Sequence, residues 1–118
     1  MTEAQIKLKR TESILKELIP EAFSSLSDAR LHELSVVEVK CSKGRSDAKV
    51  YLDPAFFEES EKSLLLKQLK KARPIVEDFC MKEQGWYRCP KLSFEFDEHF
   101  AKTQRIEELF KQISGEKN

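Results

Sequence analysis

Five cations and no carboxylate stand between Lys62 and Arg73: Lys62, Lys67, Lys70, Lys71 and Arg73. The formal charge of the whole chain is +0, so this segment concentrates positive charge that is balanced elsewhere. Lysines and arginines at that density neutralise phosphates and displace their condensed counterions, which is the chemistry of a nucleic-acid backbone contact. At ~100° per residue, Lys67, Lys70 and Lys71 project away from the stripe of Leu65, Leu69 and Ala72. The ordinary alternative is a solvated helix face, the usual place for lysine. Lys43 and Arg45 in a hairpin turn, and Lys82 and Arg88 around the end of a helix, are weaker candidates for the same role.

Other chemistries find less support. Glu58, Glu59 and Glu61 precede the basic stripe, and Glu95, Asp97 and Glu98 lie along and after a strand. Paired carboxylates can do acid–base work, but alternation turns Glu95 and Asp97 outward with no evident cleft. Cys41, Cys80 and Cys89 with His32 and His99 include no pair at Cys-x₂₋₄-Cys or His-x₃₋₅-His spacing, so no metal site is expected. Cys41 and Cys80 fall on inward positions and read as small core residues. His32 reads as a loop residue. Trp86 and Tyr87 have the side chains to stack on bases, although packing over the sheet edge is the expected role. There is no P-loop, Gly-x-Gly-x-x-Gly or His-Glu-x-x-His, so neither cofactor nor active site is expected.

The elements that must position these residues follow from hydrophobic period. Ile14, Leu15, Leu18, Ile19, Ala22, Phe23 and Leu26 form one stripe and predict a helix from about Lys7 to Leu26, bent or restarted near Pro20. A turn at Ser27–Asp28 follows. Val37, Val39 and Cys41 alternate with Val36, Glu38 and Lys40, a half-buried strand. After a turn through Gly44, Ala48, Val50 and Leu52 face inward from a second strand, giving an antiparallel hairpin. The segment "SEK" (60–62) is a helix start. Leu65, Leu69, Ala72, Val76 and Cys80 then keep helical spacing across Pro74, which predicts two helices meeting at a built-in bend, with Pro74 at the first turn of the second. Gly85 stops that helix. Leu92, Phe94 and Phe96 face inward from a third strand, and Ile106, Leu109, Phe110 and Ile113 predict a last helix. The order α-β-β-α-(kink)-α-β-α defines an α+β domain, three strands with helices packed on one face.

A length of 118 residues with 40% apolar and 36% charged residues fits one domain, 1–118, with short flexible ends at about 1–6 and 114–118. No apolar run approaches the ~18–20 residues that span a bilayer. No apolar stretch follows the basic residues of "MTEAQIKLKR", and the three cysteines are widely spaced. Both observations point to reduced thiols in a cytoplasm.

Three stretches carry a resemblance: "SDARL" (Ser27–Leu31), "AKVYL" (Ala48–Leu52) after a Val-Glu-Val strand, and "PKLSFEFD" (Pro90–Asp97) leading into "RIEELF". In that order and spacing, from about Arg10 to Ile113, the chain resembles the ribosome-binding factor A family of bacterial small-subunit assembly factors. The family's Pro-Glu-Leu-x-Phe appears as Pro90-Lys91-Leu92-Ser93-Phe94, and its Asp-Pro-Arg-Leu has Ala29 in place of proline. The hairpin departs from the family pattern, with Gly44 following Ser42-Lys43 where an Asp is common.

The resemblance implies a type II KH fold, a monomer that binds the immature 30S subunit and its 16S rRNA, and a role in rRNA maturation and cold adaptation without catalysis, cofactor, small-molecule substrate or membrane. It also implies a kink between two helices. Type II KH domains have a Gly-x-x-Gly loop there, this family a tighter Ala-x-Gly, and this chain Ala72-Arg73-Pro74. Proline has no N–H to offer a phosphate, which leaves that contact to Arg73. The alternative to RNA binding is a protein-interaction module of the same fold, its basic stripe meeting an acidic partner.

Overall fold

The computed structural model describes residues 2–99. Its elements are α1 (Glu3–Ser24), a short 3-10 helix (Ala29–Glu33), β1 (Val36–Cys41), β2 (Asp47–Leu52), α2 (Glu59–Gln84) and β3 (Lys91–Phe96). The helix predicted around Ile106–Ile113 and the tail at 114–118 lie outside the described residues.

Helix α1 begins earlier than its apolar period implies, because Thr2 and Gln5 close a capping box. The Gln5 N–H donates to Thr2 Oγ1 at 3.2 Å, and the Thr2 N–H donates to Gln5 Oε1 at 3.0 Å. The expected flexible start at residues 1–6 is therefore helical from Glu3. Helix α2 also starts ahead of expectation, on a second capping box between Glu58 and Glu61.

The three strands run in the order β1-β2-β3, with β1 antiparallel and β3 parallel to β2. Val39, Ala48, Val50, Leu52 and Leu92 are buried on one face, while Lys40, Lys49, Lys91 and Ser93 are exposed on the other. Phe94 and Phe96 pack on the margin of the core, Phe94 against Phe23 and Phe96 against Phe57, each pair with ring centroids 5.9 Å apart. Simple alternation turns Val36 outward, yet it packs against the core. The register shifts between Val36 and Glu38, so Val37 is the extra residue of a bulge and the inward set resumes one residue late. The hairpin turn also differs from expectation. Arg45, not Gly44, holds the left-handed backbone, at φ 56°.

Where the apolar pattern across Pro74 predicts two helices, α2 is one helix of 26 residues with Pro74 inside it. Pro74 is thus not the first residue of a new helix. The buried face explains why the helix continues: Leu65, Leu69, Val76 and Cys80 share one core, and Ala72 packs against it. The proline removes only the N–H that would bond the Lys70 carbonyl, and both Lys70 and Pro74 lie on the exposed side, where water can reach that carbonyl. Pro20 sits likewise inside α1, exposed, four residues after the exposed Lys16.

The packing leaves two strand edges, and each is tied to a helix. Glu12 of α1 accepts the Cys41 N–H at 2.8 Å, and Glu77 of α2 accepts the Leu92 N–H at 2.7 Å. Pro74→Ala tests the continuous helix. It supplies the missing donor and removes a residue that costs about 3 kcal/mol in a helix interior, so the denaturant midpoint should rise. A lower midpoint would show that the proline sets an angle the core requires.

Candidate nucleic-acid interface

The period of α2 buries Leu65 and Leu69 and leaves Lys67, Lys70 and Lys71 exposed, with no ion pair to any described residue. Lys62, which shares the acid-free segment in the sequence, is not part of this free set. Its Nζ donates to Glu59 at 3.1 Å and Glu98 at 3.0 Å, and its side chain is only 12% exposed. The hydrogen bonds to Glu98 and then Glu59 raise its pKa above the usual lysine value. Arg73 turns toward the sheet. It lines a groove of about 270 Å³ between α2 and β3 together with Lys70, Leu66, Leu92 and Phe94. Its Nε is buried without a hydrogen bond, 3.9 Å from the Glu77 carboxylate that holds the Leu92 N–H. Arg73 is thereby only partly available at the surface.

The remaining candidates divide. Lys82 is paired with Asp78 at 2.9 Å. Lys43 is exposed at the hairpin turn. Arg45 and Arg88, far apart in the chain, line one surface pocket of about 300 Å³ with Thr11, Trp86, Tyr87 and Pro90. The parallel β2–β3 pairing brings them together, because it puts the leads into both strands at the same end of the sheet. The Lys91 N–H donates to the Ser46 carbonyl at 2.9 Å and fastens one lead to the other. Gly85, at φ 64°, closes α2 with the Trp86 N–H donating to the Met81 carbonyl at 3.0 Å. Trp86 then packs against the core as expected, but Tyr87 does not: it is 97% exposed. No local signal separates the two aromatics. The difference depends on which way the chain leaves the helix cap.

The remaining polar and sulfur groups are structural. The His32 Nε2 lies 2.6 Å from the Leu26 carbonyl and donates to it, holding the 3-10 helix under the end of α1. Among the described residues no cluster of three His, Cys, Asp or Glu side chains could hold a metal ion. Burial pushes the Cys41 thiol up to about 11, with the Glu12 carboxylate adding to the shift and Arg45 opposing it. Burial, then Glu77, raises Cys80 to about 11. Burial, with Cys80, Glu77 and Cys41 nearby, raises Cys89 to about 12. Such thiols stay protonated and make poor nucleophiles.

The sign of the linkage is fixed by those directions. An unfolded chain releases thiol protons from about pH 9, while the folded chain holds them to about pH 11. The thiols' contribution is therefore complete below pH 9 and lost as pH rises through 11. Iodoacetamide at pH 8 should label the native protein far more slowly than the urea-unfolded chain, by mass spectrometry. Equal rates would show that the thiols are open and ionisable.

Two helices over one face of a mixed three-stranded sheet, with the other face charged, place the molecule in the two-layer α+β class. The chain belongs to the ribosome-binding factor A family, whose family model matches residues 7–110. It is 50% identical over 118 residues to ribosome-binding factor A of Campylobacter jejuni, covering 100% of this chain and 98% of that one. The crystal structure of ribosome-binding factor A from Thermus thermophilus superposes with a TM-score of 0.65 at 30% identity, over 75% of this chain and 93% of the other. A homology model of the Thermus thermophilus factor, fitted into a cryo-EM map of its complex with the 30S subunit, gives a TM-score of 0.58 at 32% identity, over 70% and 87% of the two chains.

Proposed function

We propose that this protein is a non-catalytic assembly factor that docks on the immature small (30S) ribosomal subunit, contacts its 16S rRNA and assists rRNA maturation. The observation that carries the reading is the free cationic trio Lys67, Lys70 and Lys71 on the outer face of α2, in a chain of formal charge +0. A lysine with no ion pair to a described carboxylate keeps its charge available for a phosphate. Family membership supplies the partner, since a member of the family has been fitted into a map of its 30S complex. Arg73 and Lys43 would assist from the margins of the trio and from the hairpin turn. The fold would be of the type II KH kind, acting as a monomer in the cytoplasm. The mechanism is occupancy: a rigid helix face, fixed by its buried side, holds rRNA in a pre-mature arrangement until the factor leaves.

Sucrose-gradient sedimentation of a lysate tests this. The protein should travel with free small subunits and not with translating ribosomes. Lys70→Glu with Lys71→Glu, both on the exposed face, should leave the circular dichroism spectrum intact and abolish that co-migration. Wild-type protein that stays at the top of the gradient at low salt, with immature subunits present, would overturn the proposal.

A further inference from the structure

We infer that the pocket where the leads into β2 and β3 meet holds one unpaired nucleotide of RNA, with its base on Tyr87 and its phosphates met by Arg45 and Arg88. The inference rests on the RNA-binding reading above and adds a second point of contact to it.

Three observations support the assignment. First, Tyr87 is 97% exposed although its neighbour Trp86 is packed, so a flat aromatic face stands at the surface, uncovered by any described residue. Base–aromatic stacking is sequence-tolerant and uses such a face, which a paired base inside a duplex cannot reach. Second, neither Arg45 nor Arg88 is in an ion pair with a described residue, whereas Arg30 is held by Asp28 at 2.9 Å and Lys82 by Asp78 at 2.9 Å. No carboxylate of a described residue lines the pocket, which Arg45 and Arg88 share with the aromatic Tyr87.

Third, the turn is built in a costly way. Arg45 occupies the left-handed region at φ 56°, a conformation that glycine adopts without steric cost. Gly44 stands immediately before it without using that freedom, and a Cβ added at Gly44 would meet nothing within 4 Å. A turn arranged for stability alone would exchange the two residue types. This one keeps an arginine in a left-handed position that costs backbone strain, as binding sites do.

The volume of about 300 Å³ lies at the small end of ligand sites and suits a single base. The pocket is also remote from the lysine trio: Lys70 and Gly85 are separated by roughly 22 Å along the axis of α2. A nucleotide held here would fix the direction in which RNA runs from the trio, which a phosphate contact alone cannot do.

Anisotropy titrations of the full chain with a short labelled oligoadenylate and with an RNA hairpin duplex test the inference, alongside sedimentation with immature subunits. The oligoadenylate should bind and quench Trp86, the only tryptophan. Tyr87→Ala should weaken oligoadenylate binding by about tenfold, the scale of one base–aromatic stack, and Tyr87→Phe should restore it. Arg45→Gln and Arg88→Gln should each weaken binding and flatten its salt dependence, while duplex binding is unchanged by Tyr87→Ala. Tyr87→Ala binding both oligoadenylate and subunits as wild type would overturn the pocket and leave the ribosome-binding reading standing. Tyr87-dependent oligoadenylate binding in a protein that never joins subunits would support the pocket and overturn that reading. Tyr87-dependent subunit binding with no affinity for oligoadenylate would assign the pocket to a ribosomal protein and overturn the nucleotide.

Discussion

The parallel pairing of β2 with β3 dictates how the chain must return across the sheet. Two antiparallel strands can be joined by a tight turn, as β1 and β2 are, but a parallel neighbour is reached only by a crossover that carries the chain back to the starting end. Helix α2 is that crossover. Its 26 residues span about 39 Å, roughly twice the length of the six-residue strands it connects. The helix therefore has one face fully engaged by β3 and α1 and a long outer face with no partner among the described residues. The free lysines stand on that outer face. The same pairing stacks the leads into β2 and β3 at one end of the sheet and brings Arg45 to Tyr87 and Arg88.

A three-stranded sheet exposes two edges, and both are controlled by glutamates from the covering helices. Glu12 takes the outward Cys41 N–H and Glu77 the outward Leu92 N–H. Each bond satisfies a partly buried donor and fixes a helix against a strand, so the edge is less open to another strand. Glu77 also lies 3.9 Å from Arg73. Arg73 lines the groove beside β3 with its Nε buried, whereas Lys70 lines the same groove but is exposed and has no ion pair with a described residue.

Much of this was legible in the sequence, and the failures have physical causes. Period alone places Leu65, Leu69, Val76 and Cys80 inward and Lys67, Lys70 and Lys71 outward, because burial and a 3.6-residue repeat leave little choice. The inward set of β2 follows in the same way. Period does not register a bulge, so Val36 is misassigned. It also does not register capping boxes, so both helices start early. Pro74 misleads because intrinsic propensity is weaker than a continuous buried face: one missing hydrogen bond on the solvent side does not break α2. Lys62 looks like its neighbours within the acid-free segment, but it is held by Glu59 one turn earlier, which is readable in the sequence, and by Glu98, which arrives only after β3. Arg45 and Arg88 are each visible as surface cations, but their meeting is a product of strand order, which no local pattern encodes.

On the proposed reading, the outer face of α2 meets RNA through Lys67, Lys70 and Lys71, which pair with no described carboxylate. The most direct measure is the slope of log affinity against log salt concentration for binding to purified immature small subunits, comparing wild type with Lys67→Gln, Lys70→Gln and Lys71→Gln. Each replacement should flatten the slope by about one, the signature of one fewer phosphate neutralised. Lys62→Gln should leave the slope as it was. Slopes that stay the same across the trio, or that change only with Lys62, would contradict the claim.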